Sequence, residues 1–193
     1  PWLGYEAETI RLSALSEQEQ QQLANLAGEI DGLSDHALDE LAARAEGNPL
    51  YLLELVHART SSDIDSDVPT SLEGLIAARI DRLDPVDRRI LRYASVLGAR
   101  VPEELLHRSM GDRVPLDDDV GLWHRLQQFV RVDGSDISVQ HGLVREVAYD
   151  SLPFRLRREL HGSVATAVAG STVYVSDALM ALHYDRAGQH DPA

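Results

Sequence analysis

The segment that most narrows the possible folds runs Ala42-Ala43-Arg44-Ala45-Glu46-Gly47-Asn48-Pro49-Leu50-Tyr51-Leu52-Leu53-Glu54-Leu55-Val56. One helix ends at Gly47-Asn48, and another begins with Pro49 in its first turn, where a missing amide and a fixed φ cost least. Two helices are therefore joined at a set angle through a polar corner. The second, from Pro49 to about Arg59, carries Leu50, Leu52, Leu53, Leu55 and Val56 around more than half its circumference. Such a helix is expected to be buried against several neighbours. Gly47 has no side chain and Pro49 offers an apolar edge, so the corner suits a wall that approaches a flat ligand closely. The same residues also read as ordinary helix punctuation, a C-cap glycine followed by an N1 proline.

Upstream of the corner, Glu8-Thr9-Ile10-Arg11-Leu12 alternates polar and apolar residues before Ser13, Ala14 and Leu15, which predicts one short strand. Ser16 then starts a helix, with Glu19 completing a capping box. That helix is expected over Glu17 to Ala27, broken by Gly28 and Gly32. Ser34 or Asp35 starts the next, in which Leu38, Leu41, Ala42 and Ala45 recur at helical spacing. Downstream, the Ser- and Asp-rich stretch from Thr60 to Asp67 reads as an exposed linker and the main domain boundary.

Beyond it, Val68-Pro69-Thr70-Ser71 leads into a helix bearing Leu72, Leu75, Ile76, Ile80 and Leu83. Asp84-Pro85 ends that helix and caps another with a stripe of Ile90, Leu91, Ala94 and Leu97. Glu103 to Met110 predicts a short helix after Val101-Pro102, and Asp112 to Asp119 a loop. Leu122, Leu126 and Phe129 mark a further helix running into Val130-Arg131-Val132, with Asp133-Gly134 as the turn of a hairpin returning through Ile137-Ser138-Val139. Three helices followed by a two-stranded wing is the order of a winged-helix domain. A helix from His141 to Tyr149 should pack back on the bundle. Leu156, Leu160, Val164 and Val168 form a face that stops at Gly170, and one more helix spans Ala178 to Gly188. The expected fold class is mainly α with a small β-hairpin.

Composition removes several kinds of chemistry. Zero Cys excludes disulfides and thiolate metal sites, and permits a reducing cytoplasm. Lys is absent, so all 18 basic residues are Arg, and neither a Walker A lysine nor a Schiff base is available. A net charge of −14 argues against a nucleic-acid partner, whose affinity rests on neutralising phosphates, although Arg145, Arg155, Arg157 and Arg158 are dense enough for a local basic face. No apolar run approaches a membrane span. Asp117-Asp118-Asp119 lacks the alternating ligands and central glycine of a calcium loop, His183 and His190 are too far apart to suggest a metal pair, and no nucleophile elbow or other catalytic centre is legible.

Gly47-Asn48-Pro49-Leu50-Tyr51-Leu52, Val68-Pro69-Thr70-Ser71-Leu72 and Leu75-Ile76-Ala77-Ala78-Arg79-Ile80-Asp81-Arg82-Leu83 together resemble the segment that follows the nucleotide-binding core in STAND-type, AAA-related signalling ATPases. The similarity is greatest to bacterial proteins that join such an ATPase to an adenylate or guanylate cyclase or to a LuxR-type DNA-binding domain, as in MalT-like regulators. The resemblance implies the end of an upstream core over 1–15, a helical lid over 16–67, a winged-helix domain over 68–152, and a connector with the start of TPR-like superhelical repeats over 153–193. It also implies that the phosphate-binding loop lies upstream of Pro1 and that the ligand is ATP or ADP held mainly by that P-loop domain, while the histidine and aspartate spacing by itself points to no metal bound by this segment. The implied partners are the P-loop domain, a cytoplasmic output domain such as a cyclase, and a protein ligand on the repeats.

Carried over residue by residue, the resemblance places Pro49 against the adenine, with Gly47 and Asn48 beside it. His141, Leu143, Arg145 and Tyr149 match the family's histidine-x-leucine-x-arginine pattern with a later tyrosine, which makes His141 a sensor of the β-phosphate and Arg145 a secondary candidate. From position alone, the imidazole and the first free amides of its helix are able to face one anion. The alternatives are that His141 only caps or packs, and that Arg145 is solvated or paired with Glu146 or Asp150. Two other functions compete: a DNA-binding winged helix reading through Gly121 to Phe129 with His124 and Arg125, and a helical protein-interaction scaffold.

Overall fold

The computed structural model describes residues 10–31, 33–60, 69–111, 119–170 and 176–189. Among them are ten helices and three short strands: α1 (Glu17–Asp31), α2 (Asp35–Ala45), α3 (Pro49–Thr60), α4 (Leu72–Asp81), α5 (Pro85–Leu97), β1 (Arg100–Pro102), α6 (Glu103–Met110), α7 (Asp119–Arg125), β2 (Val130–Asp133), β3 (Asp136–Val139), α8 (Gly142–Asp150), α9 (Phe154–Ala169) and α10 (Asp177–Ala187). The chain is mainly helical and divides into two compact units between Leu75 and Ile76, within α4. Most of the expected linker at 60–67, the bulk of the loop at 112–119, and Gly32 lie outside the described residues.

In the first unit α1, α2 and α3 pack on one another around Ala24, Leu38, Ala42, Ala45, Leu52, Leu55 and Val56. The start of α1 is the capping box that Ser16 and Glu19 predict. The Ser16 amide donates to Glu19 Oε2 at 2.8 Å, and the Glu19 amide donates to Ser16 Oγ at 3.3 Å. The Ser16 hydroxyl, donating to Glu19 Oε2 at 2.7 Å, and then the Ser16 amide hold the Glu19 carboxyl below the usual carboxylate range. The Ser34 hydroxyl caps α2.

Two expectations for this unit fail. Helix α1 runs through Gly28 to Asp31, because one interior glycine weakens a helix by only about 1 kcal/mol. Of the expected strand, Glu8 and Thr9 lie outside the described residues, and Ile10 to Leu15 form no strand: a strand needs a partner for its edge, and among the described residues no strand pairs with them. Leu15 instead donates its amide to the Gly47 carbonyl at 2.9 Å.

The second unit is built on α5, which Asp84 caps and Pro85 opens. Its Ile90, Leu91, Ala94 and Leu97 are buried, as the stripe predicts, and α5 packs on α6, α8 and α9. The sheet holds one strand more than expected. Val101 and Pro102 pair with Ile137 and Asp136, so β1 lies outside β3 and the antiparallel order is β1-β3-β2. The hairpin sets Asp133 directly opposite Asp136, an unfavourable pairing of like charges. Arg100 at the start of β1 resolves it, donating to Asp136 at 2.8 Å and to Asp133 at 3.2 Å.

Helix α7 stops at Arg125 rather than reaching Phe129. Its end tightens into turns, with the Phe129 amide bonded to the Leu126 carbonyl at 2.8 Å, because the chain must reverse into β2. Arg79 braces this reversal from outside, donating to the Gln128 carbonyl at 3.1 Å with its guanidinium 4.3 Å from the centre of the Phe129 ring.

Asp87, in the first turn of α5, is 3% exposed and receives both Nε and Nη2 of Arg125, at 2.7 and 2.9 Å. Replacing Asp87 by alanine is expected to destabilise the second unit by about 2 kcal/mol, less than for a fully buried pair because Arg125 can turn to water. A denaturant midpoint unchanged from wild type would show that the fork contributes nothing.

Candidate functional site

The sequence-derived candidates fall into two groups, one in each unit. In the first unit Glu46 and Gly47 turn into the left-handed region, at φ 50° and 83°, and end α2. The Gly47 amide donates to Gln20 Oε1 at 2.9 Å, and Gln20 Nε2 reaches the Leu15 carbonyl at 3.3 Å. A Cβ on Gly47 would lie 2.8 Å from Ala14 Cβ and 2.9 Å from the Leu15 carbonyl oxygen. The close approach that requires glycine is therefore made by the chain's own Ala14-Leu15 segment.

Asn48 caps α3: its Oδ1 accepts from the Tyr51 amide at 3.1 Å and its carbonyl from the Leu52 amide at 3.0 Å. Pro49 follows in the first turn, and both Asn48 and Pro49 are exposed. Tyr51 donates to the Thr70 carbonyl at 2.7 Å and Arg44 to the Pro69 carbonyl at 2.8 Å, which holds the chain at 69–70 on the same unit. What linear spacing does not reveal is the part of Gln20 and Leu15, which lie 27 and 32 positions from Gly47.

In the second unit the chain leaves β3 through Gln140, whose amide donates to the Phe129 carbonyl at 2.9 Å and whose side chain donates to the Gln127 carbonyl at 2.5 Å. This clasp places His141 as the N-cap of α8, with extended backbone, an exposed ring and no side-chain capping bond. The first amides of α8 thus have no side-chain acceptor from the cap residue. Space beside Gly142 is open, since a Cβ there would meet nothing within 4 Å.

Arg145 stands one turn along, its amide bonded to the His141 carbonyl at 3.1 Å. Its guanidinium has no carboxylate partner among the described residues, and the expected neighbour Asp150 is taken by Arg157 at 3.1 Å. His141 and Arg145 thus stand one turn apart at a helix start whose cap residue supplies no acceptor, where the α8 dipole favours an anion.

At the other end of α8, Tyr149 enters a buried cluster that the sequence does not reveal. Its hydroxyl lies 3.1 Å from His161 Nε2, and His161 Nδ1 lies 2.8 Å from His183 Nδ1. Both imidazoles are 1% exposed. A nitrogen–nitrogen contact of that length accommodates one proton. Burial first, then His183 and Arg186, push His161 down to about 4. His183 is also lowered, by burial and Arg186, with the Leu97 carbonyl partly opposing. Helical periodicity puts His161 next to Leu160 and Val164 on the inner face of α9. It does not indicate that His183 of α10 will meet it.

The residues offered for groove reading are arranged differently from the expectation. His124 is exposed, but Arg125 is bound to Asp87 at the end of a helix only seven residues long. Of the basic face, Arg155 pairs with Glu159 at 3.0 Å and Arg157 with Asp150. Among the described residues no group of three acidic or histidine side chains is placed to hold a metal, and no helix is long and apolar enough to cross a membrane. No family model matches the chain, and no curated protein or solved structure does.

Proposed function

We propose that the chain is a regulatory segment of an ATP- or ADP-dependent signalling switch: a helical lid, a winged helix and the first helices of a repeat array, acting with a P-loop domain of the same polypeptide. On this reading Pro49 lies against the adenine, His141 and Arg145 take the phosphates, and exchange or hydrolysis moves the winged helix to control an output domain such as a nucleotide cyclase. Nucleotide drives such a switch only through its different affinity for the two arrangements. The observation that carries the reading is the uncapped start of α8, where His141 and Arg145 stand one turn apart with neither side chain committed to a carboxylate among the described residues. The exposure of Pro49 agrees with it, whereas the glycine at 47 is already explained by packing against Ala14 and Leu15.

The test is ADP affinity of the segment joined to its P-loop domain. His141→Ala and Arg145→Gln are each expected to weaken ADP by at least about tenfold, the loss of one charge-assisted hydrogen bond, and Pro49→Ala by a few-fold. Unchanged affinity in all three variants would favour a plain interaction scaffold. The DNA-binding alternative is weakened by the engagement of Arg125 with Asp87, and a salt-sensitive shift on random duplex would revive it.

A further inference from the structure

A cleft of about 370 Å³ opens where the end of α8, the start of α9 and the end of α10 meet. Its walls include Tyr149, Phe154, Arg157, Arg158, Asp185 and Arg186, with His161 at the inner side. Three guanidiniums thus converge against a single carboxylate. Only one of the three is fully engaged. Arg157 donates to Asp150 Oδ1 at 3.1 Å and to the carbonyls of Asp150 and Leu152 at 2.7 and 2.8 Å.

Arg158 has only two long contacts, 3.3 and 3.4 Å, to the Ala187 carbonyl, and Arg186 has one of 3.4 Å to the Tyr149 hydroxyl. Neither has a carboxylate partner among the described residues. In a chain with 32 acidic side chains and 18 arginines, neighbouring guanidiniums without acids are not what surface electrostatics alone would produce.

The cleft is also shaped by the backbone. Gly188 ends α10 at φ 68°, and a Cβ there would collide with Arg158 Nη2, so the missing side chain lets that guanidinium lie against the turn. Arg157 and Arg186 both lie against the Tyr149 ring, with guanidinium carbons 4.7 and 5.6 Å from its centre, and this holds the Arg186 head in place without a carboxylate among the described residues. Phe154, 75% exposed, stands at the edge as an apolar wall. The positive field reaches inward, since Arg186 is one of the groups that disfavour protonation of His161.

We propose that this cleft binds a small phosphate-bearing molecule, its phosphate or diphosphate held by Arg158 and Arg186 and its organic part against Phe154. Paired, pre-positioned guanidinium forks match phosphate oxygens in geometry as well as charge. The volume suits one small ligand. The site is separate from the start of α8: Tyr149 lies eight residues, about 12 Å of helix, beyond His141. It does not depend on the switch reading.

The experiment is calorimetric titration of pyrophosphate into the 193-residue chain, against potassium chloride of equal ionic strength. One saturable site is expected, weakened at least about tenfold in Arg158→Gln and in Arg186→Gln. Gly188→Ala, which keeps every charge but displaces Arg158, should weaken it several-fold. Arg155→Gln and His141→Ala should leave it unchanged, with circular dichroism showing that each variant is folded. As a second readout, pyrophosphate should raise the pKa of His161, followed by NMR of the ring protons. Absence of a saturable site, equal loss on Arg155→Gln, or a His161 titration indifferent to pyrophosphate would overturn the proposal.

Discussion

Replacing Gly47 by alanine is expected to lower the stability of the first unit by about 3 kcal/mol, the sum of a left-handed conformation forced on a residue with a Cβ and of weakened bonds to the entering chain. Gly47 sits at φ 83°, and an added methyl group would lie 2.8 Å from Ala14 Cβ and 2.9 Å from the Leu15 carbonyl oxygen. Those neighbours belong to backbone held by the Leu15 amide on the Gly47 carbonyl, at 2.9 Å, and by Gln20, which donates to Leu15 and accepts from Gly47. The methyl group therefore cannot be relieved by rotating a side chain, and the segment must move away. Denaturant unfolding should show the loss in the transition assigned to α1, α2 and α3, and Pro49→Ala, which breaks no hydrogen bond, should change that midpoint little. If Gly47→Ala unfolds within about 0.5 kcal/mol of wild type, the Ala14-Leu15 segment is not held as described.

Acidification should remove a comparable amount from the second unit, through His161 and His183. In the unfolded chain an imidazole titrates near its ordinary 6.5, whereas in the folded state His161 is pushed down to about 4 by burial, then by His183 and Arg186. The folded state thus excludes a proton that the unfolded state binds. Stability is fully present above pH 6.5 and falls as pH drops toward 4, by about 3 kcal/mol for one proton excluded over that range. His183, lowered in the same direction, adds to the loss. The groups facing the pair are the Tyr149 hydroxyl and the Arg186 guanidinium.

The check is the urea midpoint of wild type and His161→Gln across that range. Carboxylates titrating below about pH 4.5 affect both proteins alike, so the difference between the curves isolates the histidine. The variant should be less stable at pH 7 and lose less on acidification. Parallel curves would mean that His161 is protonated as easily folded as unfolded.

Much of the second unit's helical order follows from short patterns. Asp84-Pro85 places the start of α5, the spacing of Ile90, Leu91, Ala94 and Leu97 identifies its inner face, and Asp133-Gly134 locates the turn between β2 and β3. His141 and Arg145 are legible in the same way, because their setting is one helix start and one turn. The buried histidine pair and the arginine cleft are not. His161 and His183 are 22 positions apart, and Arg158 and Gly188 come from different helices, so no periodicity within either segment links them.

What the residues decide alone is whatever can be settled within about four positions: the caps at Ser16, Ser34 and Asp84, the corner at Gly47 to Pro49, and the apolar stripes. There the bond or the steric limit lies between neighbours, and its energy does not depend on the rest of the chain. What only the folded molecule decides is where a segment finds its partner. Val101 and Pro102 become a strand because β3 offers an open edge and Arg100 meets two facing aspartates. Ile10 to Leu15, with a clearer alternating pattern, remain irregular, and no strand pairs with them among the described residues. A helix bonds to itself, whereas a strand is completed by residues far away, and so is a site assembled from three helices.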